Sequence, residues 1–112
     1  MPIRIKPLIL VAALVAATPA LAGTEPSVER QHELVNLVRQ DCGSCHGMTF
    51  RGGLGPPLTP EALRDKAADS LTLTILNGRP GTPMPPWRPF VTDAEASWIV
   101  EQLQKGVLDG AR

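Results

Sequence analysis

The segment Cys42-Gly-Ser-Cys-His46 constrains this chain more than any other five residues in it. Two cysteines three positions apart with a histidine directly behind them permit a disulfide, part of a metal site, or thioether attachment of a haem. A disulfide would close too short a loop to constrain the unfolded chain. A structural zinc site usually needs four ligands, and besides these residues the sequence offers only the distant His32. Both of these alternatives leave His46 unexplained.

The first 22 residues have the layout of a secretory signal peptide. Basic Arg4 and Lys6 precede an apolar run over 8–17, and Pro19-Ala-Leu-Ala22 places small residues at the positions required for cleavage. A transmembrane anchor is the competing interpretation, but the run is about half of the roughly 20 residues that a spanning helix needs. We expect a signal peptide over 1–22, one domain over 23–112 and a periplasmic location, with no membrane anchor after cleavage.

The 90 residues left after cleavage form a small domain with a modest charge. They hold 9 basic and 11 acidic residues, a net charge of −2, so the composition predicts no attraction to nucleic acid or anionic lipid. A chain of this size buries only a marginal core by itself. A large apolar cofactor would add to that core. We expect a monomer.

The fold class predicted from the apolar spacing is all-α, with no strand-like alternation. After a disordered lead-in over 24–27, an amphipathic helix is expected to run into the CGSCH segment. The predicted helices span 28–40, 60–66, 69–76 and 93–105. Leu34 and Val38 of the first helix are expected to pack against Trp98 and Leu103 of the last.

Local signals mark where these helices start and stop. Thr92 and Glu95 form a capping box for the last helix, and Gly106 is its expected stop. Thr59 is the expected cap before Pro60, and Asn77-Gly78 predicts a left-handed stop. The stretch 51–58 is too rich in glycine and proline for regular structure, so it is a predicted loop whose backbone approaches a neighbour closely.

The CxxCH spacing, the export signal and the small core together predict one haem c, attached by thioethers through Cys42 and Cys45. His46 is then expected to bind iron through one ring nitrogen. The other nitrogen needs an acceptor that fixes the ring, and we expect the Pro56 carbonyl to supply it. The alternative is that Pro56 and Pro57 only stiffen a turn.

The ligand on the opposite face of the iron decides between electron transfer and ligand binding. Met1 leaves with the signal peptide and Met48 is tethered close to His46, so Met84 and His32 remain. Met84 lies in the proline-rich strap Gly81-Thr-Pro-Met-Pro-Pro-Trp87, which restricts the chain and favours an iron-ligand role over core packing. His32 is expected to face solvent on the first helix.

Trp87 and three arginines complete the candidate site. Trp87 is expected to pack against the haem edge, and an indole N–H donated to a haem propionate is the alternative. Arg51, Arg79 and Arg88 flank the predicted haem loops, and the sequence does not choose among them as propionate partners.

These motifs resemble class I cytochromes c. The likeness rests on a helix entering CGSCH, Gly55-Pro-Pro-Leu58, Asn77-Gly78, the Met84 strap and a C-terminal helix with an aromatic residue. It implies about four helices around one haem, crossing terminal helices, iron ligation by His46 and Met84, and Pro56 as the acceptor from the histidine.

A narrower resemblance links the chain to the NirC-type small periplasmic cytochromes associated with cytochrome cd1 nitrite reductase. It is carried by CGSCHGMT, GGLGPPLTPEAL and NGRPGTPMPPWRPF. The likeness implies electron transfer in dissimilatory nitrite reduction during denitrification, either to that reductase or from the last oxidation that makes haem d1. Its expected partners are the reductase or a haem d1 maturation protein.

The sequence therefore favours an electron-transfer protein over an enzyme. Methionine ligation raises the reduction potential relative to bis-histidine ligation and suits a carrier with short-lived partners. One alternative is a haem enzyme or gas sensor whose Met84 is absent from iron or easily displaced. Another is an assembly subunit for a haem d1 enzyme, in which the haem is mainly structural.

Overall fold

The described part of the chain is helical. The computed structural model describes residues 1–3 and 25–108, and no strand occurs within these ranges. The helical elements are α1 (Val28–Leu37), a π-helical segment (Val38–Cys42), α2 (Gly43–His46), α3 (Pro60–Leu63), α4 (Ala68–Asn77) and α5 (Asp93–Lys105). The all-α prediction is confirmed. Apart from its first three residues, the expected signal peptide lies outside the described ranges, within which no helix is long and apolar enough to cross a membrane.

Helix α1 begins at a serine cap that the sequence analysis missed. The Ser27 hydroxyl accepts a hydrogen bond from the Arg30 N–H at 3.2 Å, so the expected disordered lead-in is wrong for this residue. A serine directly before the first helical residue is a common N-cap signal.

The helical path does not stop at Gln40, where the predicted first helix ended. It passes through the π-helical segment, in which the Gly43 N–H bonds to the Val38 carbonyl, and continues as α2 to His46. A π turn inserts an extra residue and rotates the following residues about the axis. The whole CGSCH motif is therefore helical, and its orientation is offset from that of α1.

Helix α3 is shorter than predicted and α4 is slightly longer. The Thr59 cap is present, accepting from the Ala62 N–H at 3.3 Å, but α3 ends at Leu63. The chain turns there because the Lys66 N–H bonds to the Leu63 carbonyl at 3.1 Å. Gly78 follows α4 with φ 66° and ψ −169°, so the predicted left-handed stop is wrong in ψ: the backbone leaves the helix extended.

Helix α5 has the predicted boundaries. The Thr92 hydroxyl accepts from the Glu95 N–H at 3.2 Å and the Glu95 carboxylate accepts from the Thr92 N–H at 2.9 Å, which completes the capping box. Gly106 is left-handed, with φ 72° and ψ 15°, and ends the helix as expected.

The core lies where α1 and α5 meet the rest of the domain. Leu34, Val38, Trp98 and Leu103 belong to a single buried cluster, as the proposed packing of the first and last helices requires. The other buried members are Phe50, Leu63, Leu76, Val91, Ala96, Ile99 and Leu108. Burial of each such leucine or isoleucine side chain stabilises the fold by about 1.5–3 kcal/mol relative to its exposure to water. Cys42 of the motif and Leu58 of the loop that follows it pack against this cluster.

Candidate haem site

The two cysteines lie on one continuous helical stretch. Cys42 ends the π-helical segment and Cys45 is in α2, three residues later, so their side chains project from neighbouring positions on the same side. Both are partly buried free thiols. Burial raises the pKa of the Cys42 thiol to about 11, and the Asp41 carboxylate adds to the increase. Redox-active CxxC pairs have a lowered thiol pKa, whereas the pKa of Cys42 is raised.

The His46 ring is held by the loop that follows it. Its Nδ1 lies 2.6 Å from the Pro56 carbonyl oxygen, the contact expected from the sequence. A carbonyl can only accept, so Nδ1 carries the proton and donates. In the neutral tautomer with this hydrogen bond, Nε2 carries the lone pair, and imidazole binds a metal through such a nitrogen.

Close backbone packing makes this contact possible. The Gly55 N–H bonds to the Cys45 carbonyl at 2.8 Å, and the Gly52 N–H bonds to the His46 carbonyl at 2.8 Å. A Cβ on Gly55 would lie 2.8 Å from both Cε1 and Nδ1 of the His46 ring. Only glycine therefore allows the loop to lie against the ring at this point.

Phe50 anchors the same loop, and the sequence analysis did not single it out. Its side chain is 2% exposed, and its φ of 58° is the only positive value at a non-glycine residue in the described ranges. Such a conformation costs a bulky residue about 1–2 kcal/mol, which burial of the ring offsets. The Phe50 carbonyl accepts from the Leu58 N–H at 2.8 Å and closes the loop. A lone aromatic in a glycine-rich loop was the available signal.

Met84 is partly buried and lies in a strap held at both ends. We define the Met84 strap as residues Arg79–Arg88. At its start, the Arg79 N–H bonds to the Met84 carbonyl at 3.2 Å, and the Thr82 hydroxyl donates to the Arg79 carbonyl at 2.6 Å. At its end, the N–H groups of Trp87 and Arg88 bond to the last carbonyls of α4, those of Ile75 and Leu76, at 3.0 and 3.1 Å.

Gly78 lies beneath this strap. A Cβ built on it would be 2.7 Å from the Met84 carbonyl oxygen, and equally close to backbone atoms of Pro85 and Pro86. Its φ of 66° is also a conformation that side chains rarely adopt. The predicted Asn77-Gly78 signal is thus explained by close passage of the strap rather than by a left-handed cap.

Comparisons with known proteins agree with this arrangement. The family model described as "Cytochrome C oxidase, cbb3-type, subunit III" matches residues 29–102. Cytochrome c55X of Pseudomonas aeruginosa is 53% identical over 79% of this chain and 74% of its own length. Cytochrome c55X of Paracoccus denitrificans is 51% identical over 88% of this chain and 93% of its own length. A solved structure of "c-type cytochrome NirC" is 53% identical, has a TM-score of 0.73, and is matched over 74% of this chain and 98% of its own.

This chain belongs to the NirC-type c-type cytochromes. The predicted family and its class I cytochrome c-like fold are confirmed, and so is a covalently bound haem c. A further similar protein is the dihydro-heme d1 dehydrogenase of Pseudomonas aeruginosa. It is 40% identical over 60% of this chain, a segment that makes up 14% of its own length.

The donor groups of this NirC-type cytochrome fit one haem c. Two free thiols stand on one helical stretch, the His46 ring is held at Nδ1 by the Pro56 carbonyl, and a strap carries a partly buried thioether. Cys42 and Cys45 would form the thioethers, and His46 and Met84 would bind the iron. Bound there, the haem supplies a one-electron redox change.

The remaining candidates of the NirC-type cytochrome separate into packed and exposed residues. The Trp87 ring packs on Phe90, with centroids 5.7 Å apart, and against the core cluster. His32 is exposed on α1, as expected. Arg51, Arg79 and Arg88 are all exposed, and the Arg88 guanidinium also donates to Asn77 and Asp93.

Proposed function

We propose that this protein is a periplasmic one-haem electron carrier of dissimilatory nitrite reduction. Its similarity to cytochromes c55X and NirC supports the link to electron transfer. The single observation that carries the proposal is the His46–Pro56 contact, which fixes the orientation of the imidazole on a chain that carries haem c. The proposal includes export through the signal peptide 1–22, with 23–112 as the mature domain.

Each residue of the site has a role in this proposal. Cys42 and Cys45 hold the haem covalently, so that the cofactor is retained while its partners exchange. His46 and Met84 would bind the iron. A fixed ligand set in both oxidation states keeps reorganisation small during electron transfer, and the thioether favours the reduced iron. Trp87 packs beside the haem.

The partner we favour is an enzyme that oxidises dihydro-haem d1. A relative named for that reaction contains a segment 40% identical to this chain. Removal of two hydrogens releases two electrons and two protons, so two copies of this one-electron carrier would be reduced for each substrate oxidised. Donation to cytochrome cd1 nitrite reductase is the other direction of flow consistent with the family.

Exposed apolar side chains around the motif suit short-lived contacts with such partners. Met48 is 65% exposed and covers Gly43, between the two cysteines; a Cβ there would meet its sulfur at 3.3 Å. Leu54, 77% exposed, lies in the loop that holds His46. Small, weakly bound interfaces are typical of redox encounters. We propose that the protein acts as a monomer and binds no nucleic acid.

Stopped-flow mixing tests the direction of electron flow. Ferric holo-protein is mixed with dihydro-haem d1 dehydrogenase and its substrate, and reduction is followed by the haem absorption. In the second arm, ferrous holo-protein is mixed with cytochrome cd1 nitrite reductase and nitrite. Omission of the substrate or the nitrite is the control. We expect catalytic turnover in at least one arm, and two electrons accepted per dihydro-haem d1 in the first. Failure of both arms would contradict the carrier role.

Two alternatives give different results in other measurements. A gas sensor or haem enzyme would bind CO or NO rapidly, because Met84 would be absent from iron or easily displaced. An assembly subunit would still support formation of a complete reductase when its own haem is replaced by a redox-inactive one. Undiminished nitrite reduction and a fully assembled reductase in a deletion strain would remove the pathway assignment and leave the carrier chemistry intact.

A further inference from the structure

Arg88 joins the Met84 strap to the helices before and after it. Its Nη1 donates to Asp93 Oδ1 at 2.9 Å, at the start of α5, and its Nη2 donates to Asn77 Oδ1 at 3.1 Å, at the end of α4. Its backbone N–H also bonds to the Leu76 carbonyl at 3.1 Å. One guanidinium therefore ties three elements together at the end of the strap.

The chain between Arg88 and Met84 is stiff. Pro85 and Pro86 follow Met84 directly, and the ring of each proline fixes the backbone angle φ of that residue. The Trp87 N–H is bonded to α4, so the intervening residue is also restrained. A shift of Arg88 therefore moves Met84 instead of being absorbed by free backbone rotation.

We infer that Arg88 is a positioning residue for Met84: its fork to Asn77 and Asp93 sets how readily the methionine gives way to another iron ligand. The inference rests on the proposed function, in which Met84 binds the haem iron. Arg88 itself touches neither cofactor nor partner in this role. It acts through the strap.

Stability alone would give Arg88 little importance. Its side chain is 52% exposed and that of Asp93 is 78% exposed, and ion pairs of this kind contribute little to the free energy of unfolding. Release of a methionine from iron needs only local movement of the strap, which is a smaller change than unfolding. The effect of Arg88 is therefore expected in ligand exchange and not in global stability.

Imidazole binding to the ferric holo-protein measures this directly, because the added ligand binds iron only where methionine has left. The variants are Arg88→Gln, which removes the charged fork, and Arg88→Lys, which keeps the charge without the fork. Lys105→Gln is the matched control: Lys105 is 57% exposed and pairs with Glu101 at the other end of α5. Denaturant unfolding of all four proteins runs in parallel.

We expect imidazole affinity to rise about three- to tenfold in Arg88→Gln and by less in Arg88→Lys, with the parent value retained in Lys105→Gln. The unfolding midpoints of Arg88→Gln and Lys105→Gln should be similar. Equal imidazole affinity in Arg88→Gln and the parent, where the parent shows a methionine-to-iron charge-transfer band, overturns the role of Arg88 alone. Absence of that band in the parent overturns both Met84 ligation and this inference.

Discussion

The loop after the CxxCH motif and the Met84 strap hold their ligand residues in different ways. In the loop, a carbonyl contacts the His46 ring itself at 2.6 Å, and Gly55 lies directly against that ring. In the strap, the contacts are made to the backbone of Met84 and its neighbours. The contacts thus hold His46 by its side-chain ring, whereas they hold Met84 by the backbone of its strap. We therefore predict a rigid proximal ligand and an adjustable distal one.

The largest effect is expected from Gly55→Ala. The new Cβ would overlap the His46 ring at 2.8 Å, so either the ring or the loop must move. We expect a loss of about 3 kcal/mol in the free energy of unfolding of the holo-protein and a reduced yield of haem-loaded protein. Leu54→Ala, which truncates an exposed neighbour, is the control. Equal denaturant midpoints for these two variants would refute the tight proximal packing.

Gly78→Ala tests the distal region in the same way. Both a positive φ and backbone atoms at 2.7 Å oppose the added methyl group. We expect the free energy of unfolding to fall by about 2 kcal/mol. We expect the strap to lift, with weakening of the methionine-to-iron charge-transfer band but normal covalent haem content. Gly81→Ala shares the positive φ, 78°, but meets no atom within 4 Å, and it should retain the band. Loss of the band in both variants would point to backbone strain instead of strap contact.

Glu95→Gln separates stability from ligation. The Glu95 carboxylate accepts from Arg30 of α1 at 2.8 Å and from the Thr92 N–H, and the Arg30 hydrogen bond lowers its pKa below the ordinary value of 4.5. Removal of the charge should lower the free energy of unfolding by about 1.5 kcal/mol at pH 7. The charge-transfer band should be retained. Glu33 and Thr92 also face this pair.

The pH dependence of that loss follows from the direction of the pKa shift. A carboxyl group with a lowered folded-state pKa stabilises fully above its unfolded pKa and loses this contribution as the pH falls through the folded value. The stabilities of the parent and Glu95→Gln should therefore differ at pH 7 and converge as the pH falls from 4.5 through the lower folded-state pKa, as urea unfolding can measure. A constant difference across this range would mean that the lost contact is not charge-dependent.

Thr82→Val should have the smallest effect. The Thr82 hydroxyl donates to the Arg79 carbonyl at 2.6 Å and accepts from the Met84 N–H at 3.4 Å, so it orders the turn before the ligand. We expect the preference of the iron for Met84 over added imidazole to fall by about 1 kcal/mol, measured as a modest rise in imidazole affinity. Thr82→Ser should restore the parent value. If serine does not restore the parent value, the hydroxyl contact is not the cause.

The sequence predicted most where a local rule decides the structure. The Thr92–Glu95 capping box and the Gly106 stop define α5 because both depend only on nearby residues. The contact between His46 and Pro56 was expected because an iron-binding histidine needs an acceptor for its second nitrogen.

The details that were missed depend on tertiary packing. The exit at Gly78 is set by the strap, because a Cβ there would lie 2.7 Å from backbone atoms of Met84, Pro85 and Pro86. Phe50 adopts its left-handed backbone because the core holds its ring, which no local propensity favours. The fork of Arg88 joins Asn77 to Asp93, and neither partner can be chosen from spacing alone.

The absorption spectrum of the ferric holo-protein tests the central claim of His46 and Met84 ligation most directly. The account predicts a methionine-to-iron charge-transfer band in the parent, its loss in Met84→Ala, and its retention in Met48→Ala, which truncates the other described internal methionine. Covalent haem content should be the same in all three proteins. A parent spectrum without the band, or a band that survives in Met84→Ala, would contradict the account.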